Sequence, residues 1–468
     1  RRVLFRSHRI VGFPEMDGID GSEINYNALG GTGKSVSKMS SFFANASYSY
    51  LDKYILTGAL RYDGSDIIGN DNQFTPLWNV GLRLNLHREE FMKRWMWVDQ
   101  FAVRGGFGYT GSIDKNALPF VVMTLGQSVV YDGQTVPTSF SYPNPNVKWQ
   151  TKQDMNVGLD LSLFDYRLEL GVNYYHNITR DVLDRKALPY SSGRNEVTEN
   201  VADIYNSGWE IDLGVTLLKN KSFQWYAKAN IAINDNKVKN TYYKETKDLP
   251  KATLSNAHQF VENQPVNGWY GYKFAGINPI NGAVMTYTGN GEATLDMSVS
   301  GATWPTPSVF YLGNLTPPVV GGFSTSANWK QLIFSANFEF KTGHKIKSFN
   351  TFRSLDARNR HTSEANRWRE PGDITNVPAM SEAFTTYSSY MYDILLEKGN
   401  YLRCSYMTLG YNLKPEWLHK IGFSTARLSF TAKNLFTISS YSGIDPALMG
   451  SFGYPNSRKY TITLNVGF

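Results

Sequence analysis

The sequence predicts an all-β fold, an antiparallel up-and-down transmembrane β-barrel present in part, and three observations predict it. Aromatic residues are abundant (Phe 27, Tyr 29 and Trp 11, 14% of 468 residues) while charged residues reach only 19% and Gly counts 40. That composition suits strands and turns rather than helical bundles or disordered tails. Apolar and polar side chains alternate with a period of two in segment after segment. These segments run to about 8 to 13 residues, against about 5 or 6 for a soluble strand and about 9 to 11 for a tilted strand that crosses a bilayer. No run approaches the roughly 18 apolar residues of a spanning helix, which a barrel does not need because its strands show lipid only every second side chain.

Read in order, the first runs are Ser41 to Tyr50, Tyr54 to Asp63, Trp78 to His87 and Phe101 to Gly111. Val157, Leu159, Leu161 and Leu163 then oppose Asn156, Gly158, Asp160 and Ser162. Leu168, Leu170, Val172 and Tyr174 oppose Arg167, Glu169, Gly171 and Asn173. Runs follow at Trp209 to Leu217, Phe223 to Asn234 and Val319 to Trp329. Leu332, Phe334, Ala336, Phe338 and Phe340 oppose Ile333, Ser335, Asn337, Glu339 and Lys341. After Tyr401 to Leu413, Ala426, Leu428, Phe430 and Ala432 oppose Arg427, Ser429, Thr431 and Lys433. Finally Tyr460, Ile462, Leu464, Val466 and Phe468 alternate with Thr461, Thr463, Asn465 and Gly467. The count is about 13 strands.

The connections tend to alternate short and long. Short links fall at Leu51 to Lys53, His87 to Trp97, Phe164 and Asp165, Lys219 to Lys221, Lys330 and Gln331, and Lys414 to Gly422. Longer polar segments fall at Gly64 to Phe74, Ser112 to Thr151, Thr179 to Ser207, Asp235 to Pro318, Thr342 to Asn400 and Phe436 to Asn456. Short periplasmic turns and long extracellular loops produce this parity, and it sends the last strand toward the periplasm. Tyr48, Tyr50, Tyr54, Trp95 and Trp97 cluster at strand ends, where an interfacial girdle or ordinary cross-strand pairing accounts for them.

Other signals fail. The net charge of +7 is spread without a basic block, which argues weakly for anionic surface lipid and not for nucleic acid. The single cysteine, Cys404, excludes an internal disulfide and reads as a small buried hydrophobe. The N-terminus lacks a secretory signal, and RVLFRS at Arg2 to Ser7 looks like translated sequencing adaptor, so the residues before about Val11 are set aside. GGTGKS at Gly30 to Ser35 has Ala28 where a phosphate loop needs glycine, and a strand-like run follows where a helix is required. Asp63, Asp66, Asn70, Asp71 and Asn72 are dense in hard oxygen ligands but lack the spacing of a calcium loop. Neither a metal site, a cofactor site nor a catalytic constellation emerges, so the chain reads as no enzyme.

The remaining interaction candidates are aromatic rings in the long segments. Trp269, Tyr270 and Tyr272 share one with Trp304 and Tyr311, while Tyr387, Tyr390 and Tyr392 share another. Flat rings stack on sugars or pack peptide side chains, so Trp269, Tyr270, Tyr272, Trp304, Tyr387 and Tyr390 are the expected solute contacts. Packing of the loops onto one another explains the same residues.

Several stretches resemble one family. They are SFFANASYSYLDKYILTGALRYDGS (Ser41 to Ser65), VRGGFGYTGS (Val103 to Ser112), NPNVKWQTKQDMNVGLD (Asn144 to Asp160) and NVADIYNSGWEIDL (Asn200 to Leu213). GGFS near Gly321, RWREPGD (Arg367 to Asp373), GNYLRCSYMTLGYNLKP, TAKNLFTISSYSGIDP and the closing YTITLNVGF complete the set. Their order and spacing are similar to the C-terminal part of the barrel of SusC/RagA-like TonB-dependent outer-membrane transporters. The resemblance divides the chain into a poorly defined segment, residues 1–39, and a partial barrel, residues 40–468. It implies a Gram-negative outer-membrane location, a barrel of 22 strands with an N-terminal plug, and import of an oligosaccharide or peptide, with a glycan favoured by the loop tyrosines and tryptophans. The implied partners are a SusD-like surface lipoprotein, outer-membrane lipid, and the TonB-ExbB-ExbD complex acting through the plug. Plug, TonB box and signal peptide have no counterpart here, so the chain reads as a fragment. Tyr460, Ile462, Leu464, Val466 and Phe468 are similar to the C-terminal signal read by the barrel-assembly machinery. Two other readings remain: a passive porin-like barrel, and a secreted β-rich carbohydrate-binding or adhesin protein.

Overall fold

The computed structural model describes residues 5–6, 34–35, 38–66, 68, 73–113, 123–131, 134–140, 148–187, 191, 196–249, 260–295, 307–347, 365–379, 391–418, 422–449 and 453–468. Among the described residues thirteen strands form one antiparallel meander, each hydrogen-bonded to the next along the path, and a short fourteenth, Thr437–Ser439, joins the same sheet beside Tyr401 to Arg403. They are β1 (Met39–Tyr50), β2 (Tyr54–Ser65), β3 (Phe74–Asn85), β4 (Val98–Ser112), β5 (Gln150–Leu163), β6 (Leu168–Ala187) and β7 (Glu196–Lys219). The others are β8 (Phe223–Lys239), β9 (Val319–Trp329), β10 (Leu332–Thr342), β11 (Tyr401–Asn412), β12 (Thr425–Lys433) and β13 (Lys459–Gly467). Each coincides with one of the alternating runs in the sequence. β1 and β13 lie at the two ends of the path and do not pair with each other.

The pairing register separates two faces. One is apolar: Leu56 lies opposite Leu82, Leu82 opposite Gly105, Gly105 opposite Val157 and Val157 opposite Tyr174. The row recurs at Ile211 with Ile231, Phe323 with Phe338, Leu409 with Phe430 and Phe430 with Ile462. These side chains stay open rather than covered. Leu428, Phe430, Ile462 and Leu464 are 47, 46, 74 and 60% exposed, as a lipid-facing wall requires. The opposite face aligns Asn156 with Gly106, Asp160 with Gly171, Asp212 with Asn230 and Ser429 with Thr463.

Tight turns close the short side. Leu51 and Asp52 adopt φ of 50° and 52°, and Lys330 adopts 51°, the left-handed geometry of two-residue hairpins. The other side departs from the sequence expectation at Thr179 to Ser207. The β6–β7 ladder continues to Ala187 opposite Glu196, interrupted by irregularities around Val182. Alternation ends where a strand leaves the bilayer, because no apolar solvent then requires it, so a polar strand reads like a loop. A hairpin likewise occupies part of Ser112 to Thr151, where Met123–Tyr131 pairs with Gln134–Phe140. Lys34 and Ser35 are extended and pair with Phe5 and Arg6, whereas a phosphate loop would open a helix there. Asn70, Asp71 and Asn72 lie outside the described residues.

Candidate functional site

Polar-face side chains knit neighbouring strands. Asp160 on β5 accepts Arg83 of β3 at 2.9 Å and lies 3.6 Å from Arg104 of β4. Tyr226 of β8 donates to Glu169 of β6 at 3.4 Å, and Asn173 of β6 donates to Glu210 of β7 at 3.3 Å. Charges spaced along one face of strands whose other face is chiefly apolar suit a water-lined passage.

The long connections fold on each other. The strand Gly268–Gly271 pairs with Phe310–Asn314, and a second small sheet joins Phe274–Ile277, Val284–Tyr287 and Ala293–Leu295. Tyr270, Tyr272, Ile277 and Val284 form a buried core with Tyr392 from the β10–β11 connection. The two connections are also hydrogen-bonded. Tyr272 N donates to Met391 O at 2.8 Å, Phe274 N to Asp393 Oδ1 at 2.9 Å, and Trp269 Nε1 to Lys345 O at 2.9 Å. The RWREPGD motif supplies a clamp. Asp373 accepts from the amides of Arg369 and Glu370 at 2.8 and 3.2 Å while Gly372 takes φ 103°, and Trp368 Nε1 donates to Pro279 O at 3.1 Å. The β12–β13 connection is tied on as well, through Tyr441 Oη to Lys347 O at 3.0 Å and Ser442 Oγ to Glu397 at 2.6 Å.

Beneath this cap β8 outruns its neighbour. β9 begins at Val319 opposite Ile233, so the β8 residues beyond Ile233 stand above the β9 edge. Asn234 N reaches Pro318 O at 2.8 Å and Val238 N reaches Gln264 O at 2.8 Å. Between these anchors opens a cleft of about 480 Å³ lined by Asn234, Asn236, Asn263, Asn267, Tyr311 and Asn314, among others, a size suited to small ligands. Its amides are held in place. Asn234 accepts Tyr175 Oη at 2.7 Å, Asn236 accepts Val266 N at 2.8 Å, and Asn267 donates to Thr316 at 3.0 Å. Tyr311 Oη donates to Asn314. Burial pushes the Tyr311 phenol above its ordinary range, so it remains a neutral donor at physiological pH. Fixed amides beside a ring, with the Asp235–Lys237 ion pair at 2.7 Å on the same lining, offer donors and acceptors to a polar solute.

Of the expected solute contacts, Trp269, Tyr270 and Tyr272 are 5, 0 and 2% exposed and pack one connection against another. Burial raises the Tyr270 phenol, and its hydroxyl has no hydrogen-bond partner among the described residues. Trp304, Tyr387 and Tyr390 lie outside the described residues. The asparagines of the cleft escaped sequence reading because they are dispersed between positions 234 and 314 and meet only through folding. At the C-terminus Tyr460, Ile462, Leu464, Val466 and Phe468 are all exposed, Phe468 at 91%.

Comparison with known proteins follows the same lines. A family model described as "TonB dependent receptor-like, beta-barrel" matches residues 5–339. TonB-dependent receptor P3 of Formosa agariphila is 29% identical over 465 residues, covering 92% of this chain and 45% of that receptor. TonB-dependent receptor SusC of Bacteroides thetaiotaomicron is 23% identical over 453 residues, covering 92% and 43%. The chain thus spans about half the length of the curated relatives it matches. The structure of the RagAB peptide transporter superposes with a TM-score of 0.76 at 25% identity, over 97% of this chain and 50% of that one.

Proposed function

The chain belongs to the TonB-dependent receptor-like β-barrel family, and from that premise we propose that it forms part of the wall and the interlocked extracellular loops of a nutrient importer. The family places it in the outer membrane. The observation that carries the proposal is the register, which turns one continuous apolar face to lipid and one hydrogen-bonded polar face to the passage. The chain's span of about half its relatives supports reading residues 40–468 as a C-terminal barrel portion. In the whole protein a plug, the TonB box and the other strands complete the importer, with the TonB-ExbB-ExbD complex acting on the plug and a SusD-like lipoprotein closing over the loops.

The solute is an oligosaccharide. Amides and a tyrosine in the cleft, beside the charges of Asp235 and Lys237, match hydroxyl groups on a pyranose edge, and aromatic rings in the loops suit the flat face of a sugar. In this scheme the buried Trp269, Tyr270 and Tyr272 hold the loops that touch solute, and Trp304, Tyr387 and Tyr390 are contacts with it. A peptide is the second reading, favoured by the likeness to the RagAB peptide transporter. Uptake of labelled oligosaccharide and labelled oligopeptide by cells carrying the complete gene tests both. Loss of oligosaccharide uptake on deletion is expected. Unchanged uptake of both solutes would remove the importer reading, and loss of peptide uptake alone would select the second.

A further inference from the structure

Two small ladders of the loop cap pack on each other. Lys345–Lys347, just beyond β10, pairs with Leu396–Lys398, just before β11. The strand Gly268–Gly271 pairs with Phe310–Asn314, and Trp269 lies opposite Gly313. Leu396 of the first ladder joins Trp269 and Leu312 of the second in one buried apolar cluster. Lysine stems complete the contact. A Cβ on Gly313 would meet Lys345 Cδ at 2.9 Å, so the Lys345 stem crosses bare backbone there. The Lys347 ammonium stands over the Trp269 ring, 5.5 Å from its centroid, and that of Lys273 over the Phe310 ring at 4.5 Å. Lys398 lies directly opposite Lys345 in its ladder.

Long stems over apolar rings are ordinary packing, but packing leaves the charges unexplained. Lys273, Lys345, Lys347 and Lys398 have no ion-pair partner among the described residues. The acids beside them are taken: Asp393 accepts Phe274 N at 2.9 Å, and Glu397 accepts Ser442 N and Oγ at 2.8 and 2.6 Å. Lysines elsewhere do have acids, Lys53 in Glu89 at 3.1 Å, Lys237 in Asp235 at 2.7 Å and Lys244 in Glu262 at 3.2 Å. Like charges opposite each other in a ladder destabilise it. Burial also holds the Lys347 ammonium below its ordinary range, the mark of a cation stripped of water without a counter-ion. An anion supplied from outside relieves both costs.

We infer that these lysines bind anionic groups of the solute, carboxylates or sulfate esters borne on an oligosaccharide. The inference rests on the importer reading and narrows its oligosaccharide to a charged one. Position selects the solute as the source of the anion. Asn314 of the amide cleft is the residue that follows Gly313, over which Lys345 lies, so cleft and lysines share one strand. Spacing selects a repeated anion: Lys345 and Lys347 are two residues apart on one face of their strand, about 7 Å, and Lys398 widens the row. Ammonium groups on flexible stems make point contacts to such anions.

The test is isothermal titration calorimetry of the full-length receptor in mild detergent. An oligogalacturonate is compared with its methyl ester, a sulfated galactan oligosaccharide with its desulfated form, and polyglutamate stands for an acidic peptide. At least one anionic sugar is expected to bind about tenfold or more tightly than its neutral counterpart, the effect of a charge-assisted hydrogen bond. Lys345→Gln with Lys398→Gln removes that preference and leaves the neutral sugar unchanged, while Lys221→Gln, in the β7–β8 turn, alters neither. Relief of the opposed charges leaves the unliganded double variant at least as resistant to protease as the parent, whereas a purely structural pair would lose resistance. Heat-modifiable migration reports folding, and Lys347→Gln decides should the double variant fail to fold. Equal binding of charged and neutral forms, binding of neither anionic sugar, unchanged preference in the folded lysine variants, or tighter binding of polyglutamate would overturn the inference. Calorimetry reads the anion and uptake reads import, so the two readings fail separately.

Discussion

Arg403 shows how one side chain holds a loop in this protein. It stands on β11 with its side chain 5% exposed, paired with Asp445 of the β12–β13 connection at 7%. Its Nε donates to Thr437 Oγ1 at 3.0 Å, and Asp445 also accepts Ala447 N at 2.9 Å. Removing the cation strands a buried carboxylate, which costs about 3 kcal/mol or more. In the complete receptor Arg403→Met is therefore expected to lower the midpoint of urea unfolding and open the 436–456 connection to protease, with Asp445→Asn milder because it keeps an acceptor. His344 offers a second reading at this scale. Burial, and then the charge of Lys341, hold its imidazole below the ordinary 6.5. An unfolded loop takes up a proton as pH falls through about 6.5 while the packed loop resists, so stability is full above that pH and declines below it. Proteolysis of the loop region should accelerate from about pH 8 to about pH 5, and His344→Gln should flatten the profile. A pH-independent cleavage rate in the parent would contradict this.

At the scale of the element, neighbouring residues on β13 make opposite predictions. Leu464 pairs with Leu428 on the apolar face, whereas Asn465 pairs with Arg427 on the polar one. Arginine at a mid-bilayer apolar position costs about 2 to 4 kcal/mol, so in the complete receptor Leu464→Arg should strongly lower the folded fraction in lipid vesicles while Asn465→Glu, opposite Arg427, stays close to the parent. Equal effects would mean that the faces are misassigned. The strands were legible because lipid imposes alternation on every one of them. Their upper ends were not: Thr179 to Ala187 and Glu196 to Ser207 continue the ladder with polar residues on both sides, and a strand in water is under no such rule. Burial of Trp269, Tyr270 and Tyr272 was equally hidden, since an aromatic in a loop reads the same whether it meets solute or another loop. Contacts such as that of Tyr272 with Tyr392, ring centroids 6.0 Å apart, and of Trp269 Nε1 with Lys345 O distinguish the two.

The whole molecule is governed by closure. β1 and β13 each pair on one side only among the described residues, and backbone groups left facing hydrocarbon cost several kcal/mol each. This chain alone is therefore expected to form no heat-modifiable, protease-resistant band in detergent micelles. Appearance of that band would show that the sheet completes itself by another route.

The stitching of the three loops carries a lesson for heredity. Because Trp269 fastens to Lys345 and Tyr441 to Lys347, a graft of one loop from a cousin receptor would arrive with half its handholds missing. Recombination that cuts at the tight turns below, and carries all three loops across together, would keep their packing intact. The three loops are thus a single packed unit, kept whole only when exchanged together.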